Sequence, residues 1–310
     1  MKRMKNKIII GSRASKLALW QANHVAELLR RAHEGLVVEI KHVTTTGDRI
    51  LDVPLAKIGG KGLFTKEIET EMLEGKIDLA VHSLKDMPTE LPKGLTLSAI
   101  TKRVNPHDAL VSPKYKTLDN LPRGASVGTS SLRRQAQLLA ARPDLNVQSL
   151  RGNVDTRLKK AEDGTYDAVV LAAAGLERLG LGGRITELLP VRVSMPAVGQ
   201  GALAIESRAF DEDVLPLLKC LNDETTRREV EAERAFLRTV EGGCQVPVGV
   251  YAVFKENALN VEAVIASLDG KKIIRESVRG DLADAEKIGA ALAEKMLDFG
   301  GREIMQSIGL

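Results

Sequence analysis

Three groups of residues have types and spacings suited to chemistry. The first is the stretch Glu241-Gly242-Gly243-Cys244-Gln245-Val246-Pro247-Val248-Gly249. Its two glycines admit backbone angles closed to other residues, and Pro247 fixes the exit, so Cys244 is held at the tip of a tight turn. A cysteine there is either a small apolar plug for the corner or a thiol presented for reaction. The second group is Lys85-Asp86, an ammonium beside a carboxylate, just after the apolar run Leu79-Ala80-Val81. Adjacent side chains do not face each other, so the two have different partners. Asp86 can position a proton or stabilise a cation; the plainer alternative is a loop ion pair ended by Pro88. The third group is a series of arginines at helix starts: Arg13, Arg133, Arg134, Arg151, Arg157 and Arg178. Helix N-termini favour acidic residues. Arginine there points to an anionic ligand, for which the planar guanidinium is the preferred donor. One such arginine is an ordinary solvated charge; the repetition is the signal.

The elements that must position these groups follow from periodicity. Residues 7–10 form a short apolar strand, and Gly11-Ser12-Arg13-Ala14-Ser15 leads into a helix with Leu17, Trp20, Val25, Leu28 and Leu29 at helical spacing. Strand, small-residue turn and helix start make an anion site, or a plain connection capped by Ser15. The glycine and lysine spacing is not that of a P-loop. Residues 36–43 form a second strand. A long irregular segment follows, in which Lys57 and Lys61 flank glycines ahead of Phe64. Long loops in compact domains tend to be functional, so this reads as a cationic flap or as a solvated loop. A helix over 64–73 and strands over 78–82 and 95–100 complete the first lobe. His82 reads as a core residue.

Residues 101–108, with Asn105-Pro106, mark a crossover. Strands over 125–128, 146–150 and 167–171 then each feed a helix start, the first through Thr129-Ser130-Ser131. Met195-Pro196-Ala197-Val198-Gly199-Gln200-Gly201-Ala202 is small, glycine-rich and apolar, and marks a second crossover. The strand over 203–206 returns to the first sheet. A charged helix over 224–240, the Cys244 turn, strands over 250–254, 259–267 and 271–278 around an Asp269-Gly270 hairpin turn, and a helix over 282–297 form a smaller unit.

The predicted fold is therefore α/β: two periplasmic-binding-protein-like lobes of mixed sheet flanked by helices, joined by two crossovers. A smaller α+β C-terminal domain with a three-stranded sheet follows. The expected domains are 1–101 with 200–219, 106–195, and 223–310.

The chain has 310 residues, 44% of them hydrophobic, enough for two or three domains with real cores. Aromatics are only 3%, which argues against base-stacking surfaces, and the arginines come singly or in pairs rather than as a basic stripe. Nucleic-acid binding is therefore not expected. The two cysteines do not make a disulfide framework, and Cys220 falls in a helical pattern. No His/Cys/carboxylate cluster has metal-ligand spacing. The basic start, Met1 to Lys7, is followed by an apolar run too short for a signal peptide, and no run reaches membrane-spanning length. A cytoplasmic protein without a membrane partner is expected.

Taken together, these motifs resemble those of the hydroxymethylbilane synthase (porphobilinogen deaminase) family over essentially the whole chain. The likeness rests on Gly11-Ser12-Arg13 with Ser15, on Lys57 through Phe64, and on Val81-His82-Ser83-Leu84-Lys85-Asp86-Met87-Pro88. It continues through Gly128 to Arg134, Arg151 to Arg157, Ala197 to Ala202 and Gly242 to Pro247. Lys16 and Ser207 stand where proline and cysteine are common. The resemblance implies a transferase of porphyrin and haem biosynthesis. It would join four porphobilinogen molecules head to tail, with loss of ammonia at each step, and water would release the linear tetrapyrrole.

Growth would occur on one covalent dipyrromethane cofactor, attached by a thioether to Cys244. Asp86 would be the catalytic carboxylate, stabilising cationic pyrroles and helping to move protons. Arg13, Ser15, Ser83, Lys85, Thr129, Ser131, Arg133, Arg134, Arg151, Arg157, Arg178 and Gln200 would bind the acetate and propionate side chains. Lys57, Lys61 and Phe64 would act from the loop, and the chain would be a monomer. A rival reading, a two-lobe receptor for a small anion, uses the same arginines but leaves Cys244 and Asp86 without roles.

Overall fold

A computed structural model describes residues 5–49, 65–240 and 246–308. The chain divides into two compact units, Met1–Arg103 with Ala202–Arg227, and Val104–Gly201 with Arg228–Leu310. Strands β1 (Lys7–Ser12), β2 (Val37–His42), β3 (Leu79–Ser83) and β4 (Leu95–Ile100) precede the first crossing between units. Strands β5 (Asp108–Val111), β6 (Ser126–Gly128), β7 (Asn146–Gln148), β8 (Ala168–Ala172) and β9 (Glu187–Leu188) follow it. After the return come β10 (Leu203–Arg208), β11 (Val248–Lys255), β12 (Ala258–Ala266) and β13 (Ile273–Gly280). The longer helices among the described residues are α1 (Lys16–Ala32), α2 (Lys66–Leu73), α3 (Leu132–Ala141), α4 (Val154–Glu162), α5 (Ala173–Arg178), α6 (Glu224–Thr239), α7 (Ala285–Met296) and α8 (Arg302–Ser307).

The first unit's sheet runs β2-β1-β3-β10-β4 and the second's runs β7-β6-β8-β5-β9. In the first, β1 pairs parallel with β2 and β3, and β10 pairs antiparallel with β3 and β4. In the second, β6 pairs parallel with β7 and β8, and β5 pairs antiparallel with β8 and β9. The two sheets thus share one plan. In each, the antiparallel strand next to the three parallel ones is the strand that enters from a crossing. The predicted fold class, two mixed-sheet lobes with a three-stranded C-terminal sheet, is what the chain forms. β5 and β9 escape the sequence reading because a four-residue run headed by Asp108 and a two-residue run leave no period to detect.

Local sequence accounts for the helix starts. Ser15 accepts the Ala18 N–H at 3.3 Å, Ser131 the Arg134 N–H at 3.4 Å, and Asn153 the Thr156 N–H at 2.9 Å. Each satisfies a donor that a helix otherwise leaves open. In the first unit, Ile8 and Ile10 of β1 bury against Ala22, Val25 and Leu29 of α1. In the second, Leu110, Val127, Val170 and Leu138 form a core on one face of the sheet. On the other face, Ala109, Val111, Val169 and Leu171 join Leu158 and Leu176. Cys220, predicted helical, lies in the single 3₁₀ turn Lys219–Leu221 and is exposed.

The C-terminal sheet runs β11-β12-β13, antiparallel throughout. Phe236 of α6 and Met296 of α7 are fully buried in its core. Two glycines set how closely this part packs. Gly270, at φ +71°, ends the β12–β13 hairpin turn, and a Cβ there would lie 2.4 Å from the Ala140 backbone nitrogen in α3. At Gly289 in α7 a Cβ would lie 2.0 Å from the Ala232 carbonyl oxygen in α6. Neither neighbour is a flexible side-chain end, so the backbones themselves would have to separate. Gly289→Ala should therefore lower stability by about 1–3 kcal/mol in urea unfolding. A gain of a few tenths, as expected for alanine in an uncrowded helix, would contradict this packing.

Candidate functional site

In the first unit the site residues follow the carboxyl ends of β1 and β3. These strands are parallel, with Gly11 level with Ala80, so Arg13 and the segment after Ser83 emerge at one edge of the sheet. That edge is where ligands bind in open α/β sheets. β3 ends in a single 3₁₀ turn, Leu84–Asp86. Leu84 and Met87 are buried, and the Leu84 N–H donates to the Ala202 carbonyl at 3.1 Å. Pinning both apolar residues turns the pair between them outward. Lys85 is half-buried and Asp86 exposed. Among the described residues the Asp86 carboxylate makes no hydrogen bond or ion pair. The loop ion pair with Lys85 is thus not formed. Ser83 Oγ accepts from Gln21 Nε2 at 2.8 Å, and its own O–H remains to donate. His82, as predicted, is buried; its Nε2 lies 3.1 Å from Glu206 Oε2.

In the second unit the parallel strands β6, β7 and β8 likewise end together. Gly128 is level with Gln148 on one side and Val169 on the other. Thr129 and Ser131 follow β6, Arg151 and Arg157 follow β7, and α5 with Arg178 follows β8. Thr129 Oγ1 accepts the Ser131 N–H at 3.2 Å, and Arg157 Nε donates to the Gly152 carbonyl at 2.8 Å. Half-buried Arg178 donates to the Gly201 carbonyl at 2.8 Å. Burial pushes its pKa down to about 10, against the pull of Glu177.

Arg133 and Arg134 differ most from the sequence pattern, which makes them free cations. Both are buried, and both bind Asp108, the first residue of β5 and itself fully buried. Arg133 Nη1 donates to Asp108 Oδ2 at 2.7 Å and Nη2 to Oδ1 at 3.2 Å. Arg134 Nε and Nη2 reach Oδ1 at 2.9 and 2.7 Å. Ser194 Oγ and Gln200 Nε2 complete the shell at 2.7 and 2.9 Å. Arg133 also donates to the Met195 carbonyl, and Arg134 to that of Val170 at 3.0 Å. Gln200 gives a further bond to the Pro106 carbonyl at 2.6 Å. The structure thus brings Arg133, Arg134 and Gln200 together around a carboxylate that motif reasoning passed over. The available signal was an acidic residue heading the apolar run Ala109-Leu110-Val111.

Two guanidiniums against one carboxylate leave one positive charge in excess. Two buried polar atoms here have no hydrogen-bond partner, Arg133 Nε and Gln200 Oε1. Cys244, Lys57, Lys61 and Phe64 lie outside the described residues. Among the described residues no His, Cys, Asp or Glu cluster is arranged to hold a metal ion.

Burial alone would raise the Asp108 pKa, but the charges of Arg133 and Arg134 and their hydrogen bonds outweigh it and hold the carboxyl well below the usual range. The folded-state pKa is depressed below the unfolded one. The stabilisation is therefore complete above the unfolded pKa and is lost as pH falls toward the folded pKa. Through this group the wild type should lose about 1 kcal/mol of unfolding free energy per pH unit below about pH 4. Asp108→Asn should cost about 3–5 kcal/mol at neutral pH and lack that part of the acid slope. Parallel acid slopes in urea unfolding of the two proteins would contradict the ion-pair assignment.

Residues 8–216 match the family model described as porphobilinogen deaminase, dipyromethane cofactor binding domain, and residues 227–298 match the porphobilinogen deaminase C-terminal domain. A porphobilinogen deaminase of Geobacter sulfurreducens is 52% identical over 303 residues, covering 98% of this chain and 95% of that protein. One from Desulforamulus reducens is 50% identical over 305 residues, covering 98% and 99%. One from Syntrophotalea carbinolica is 52% identical over 301 residues, covering 97% and 96%. Among solved structures, a YaeC-family lipoprotein of Enterococcus faecalis superposes with a TM-score of 0.42 at 15% identity, covering 74% of this chain and 97% of that one. That superposition is too loose to add to the topology above. The chain belongs to the porphobilinogen deaminase family.

Proposed function

We infer that the chain carries hydroxymethylbilane synthase activity, a transferase reaction of porphyrin and haem biosynthesis. It joins four porphobilinogen molecules head to tail, releases ammonia at each addition, and frees the linear tetrapyrrole by hydrolysis. The observation that carries this reading is chemical. An exposed carboxylate without a partner among the described residues, Asp86, occurs in a chain whose strand ends gather excess positive charge, and the family assignment spans both.

The residues present fit a dipyrromethane bearing acetate and propionate groups. Arg178 has no carboxylate partner among the described residues, and buried Arg133 Nε has no acceptor. Ser15, Ser83, Thr129 and Ser131 each accept a hydrogen bond already and retain an O–H to donate to a carboxylate. Arg13 and Lys85 add cationic donors at the strand ends of the first unit, and Arg151 and Arg157 at those of the second. Arg133, Arg134 and Gln200 contribute as a cluster carrying one net charge. When bound, the dipyrromethane supplies the terminal pyrrole carbon to which substrate is joined. Cys244 is assigned its thioether attachment, and Lys57, Lys61 and Phe64 are assigned to a covering loop, on motif alone.

Asp86 supplies negative charge where loss of ammonia leaves positive charge on the substrate ring, and it holds or moves the proton of a pyrrole N–H. We assign the chain to three domains, 1–101 with 200–219, 106–195 and 223–310, acting as a cytoplasmic monomer. No helix among the described residues is long and apolar enough to cross a membrane.

Incubation with porphobilinogen should release one ammonia per porphobilinogen consumed and one linear tetrapyrrole per four. Reversible binding without ammonia release would favour the anion-receptor reading instead. Asp86→Asn should fold as the wild type and lose about 10²-fold or more in kcat. A near-normal kcat would remove Asp86 from the chemistry.

A further inference from the structure

Arg133 and Arg134 are successive residues in the first turn of α3, where the helix dipole adds positive potential. Two buried guanidiniums in that position repel each other and are costly without a counter-charge. Asp108 supplies it by bonding both. The carboxylate is in turn fixed by Ser194 and Gln200, so it cannot follow one arginine and release the other. After these bonds, the cluster's unmet cationic demands are one unit of positive charge and the Arg133 Nε donor; the unpartnered Gln200 Oε1 is an acceptor and calls for a donor instead. A single carboxylate meets both cationic demands.

We propose that Asp108 is a positioning residue: it clamps Arg133 and Arg134 into one receptor whose net charge suits a single carboxylate of the pyrrole chain. This rests on the reading that the two arginines bind pyrrole carboxylates. Without Asp108 the receptor carries two charges and loses its fixed geometry. It then holds a small doubly charged anion more tightly and the pyrrole carboxylate less well.

The test uses holoenzyme, with cofactor loading checked by intact mass and inorganic sulfate titrated calorimetrically at constant ionic strength. Asp108→Asn should bind sulfate about tenfold more tightly, since one added charge at close range is worth at least that factor. Its KM for porphobilinogen should rise about tenfold while kcat changes less. Arg133→Gln should bind sulfate about tenfold more weakly. The double variant D108N/R133Q, which removes one charge of each sign, should return to within about threefold of wild-type sulfate affinity.

A folded Asp108→Asn with wild-type sulfate affinity overturns the proposal, whether or not KM rises, because a merely structural residue would move KM alone. Should Asp108→Asn fail to fold, the double variant decides: sulfate affinity as weak as that of Arg133→Gln overturns the proposal. Failure of the underlying reading looks different, since Arg133→Gln and Arg134→Gln would then both leave KM and sulfate affinity unchanged.

Discussion

One buried carboxylate, Asp108, takes hydrogen bonds from two guanidiniums, a hydroxyl and an amide. The arrangement ties together parts of the chain that secondary structure alone leaves separate. Asp108 heads the strand entered at the first crossover, the arginines begin α3, and Ser194 and Gln200 flank and occupy the second crossover. In a buried setting these bonds are strong, and each partner becomes a liability if another is removed. The architecture of the second unit is thus fixed electrostatically at the place where the side chains proposed to bind carboxylates start. The hairpin turn at Gly270 packs against the C-terminal half of the same helix, so charge holds the start of α3 and packing its end.

The first unit solves the opposite problem. There a carboxylate has no partner among the described residues, and the backbone keeps it from its neighbour by burying Leu84 and Met87 on either side of Lys85-Asp86. Asp86 is kept out of a local ion pair by the turn, whereas Asp108 is drawn into one by its neighbours. The same side chain therefore serves as a structural counter-charge in one unit and as an available anion in the other. A reaction that forms cations from a polyanionic substrate needs both: negative charge for the reacting ring, and positive charge for the substituents that carry no chemistry.

Much of this was legible in the sequence because it depends on local pattern. Strand–turn–helix units, the cap Ser15, the Asp269-Gly270 turn and the two crossovers are all set by residues within a few positions of one another. The turn after β3 was legible too, since Pro88 and the apolar pair around Lys85-Asp86 are adjacent in the chain. What was not legible depends on distant residues. Nothing near Arg133 announces that its partner lies 25 positions upstream, in a strand too short to show a period. The arginine pattern therefore overstated the free charge available to a ligand. Gly289 looks like any small helix residue until Ala232 is found against it.

The central claim is that a polyanionic pyrrole chain grows while tethered to Cys244, a residue for which motif and family speak and the described geometry does not. Intact-mass measurement of protein purified from cells that make porphobilinogen tests it most directly. The wild type should exceed its sequence mass by one two-pyrrole adduct, and Cys244→Ala should show the sequence mass alone. A wild type without the adduct, or a Cys244→Ala protein that keeps it, would contradict the account.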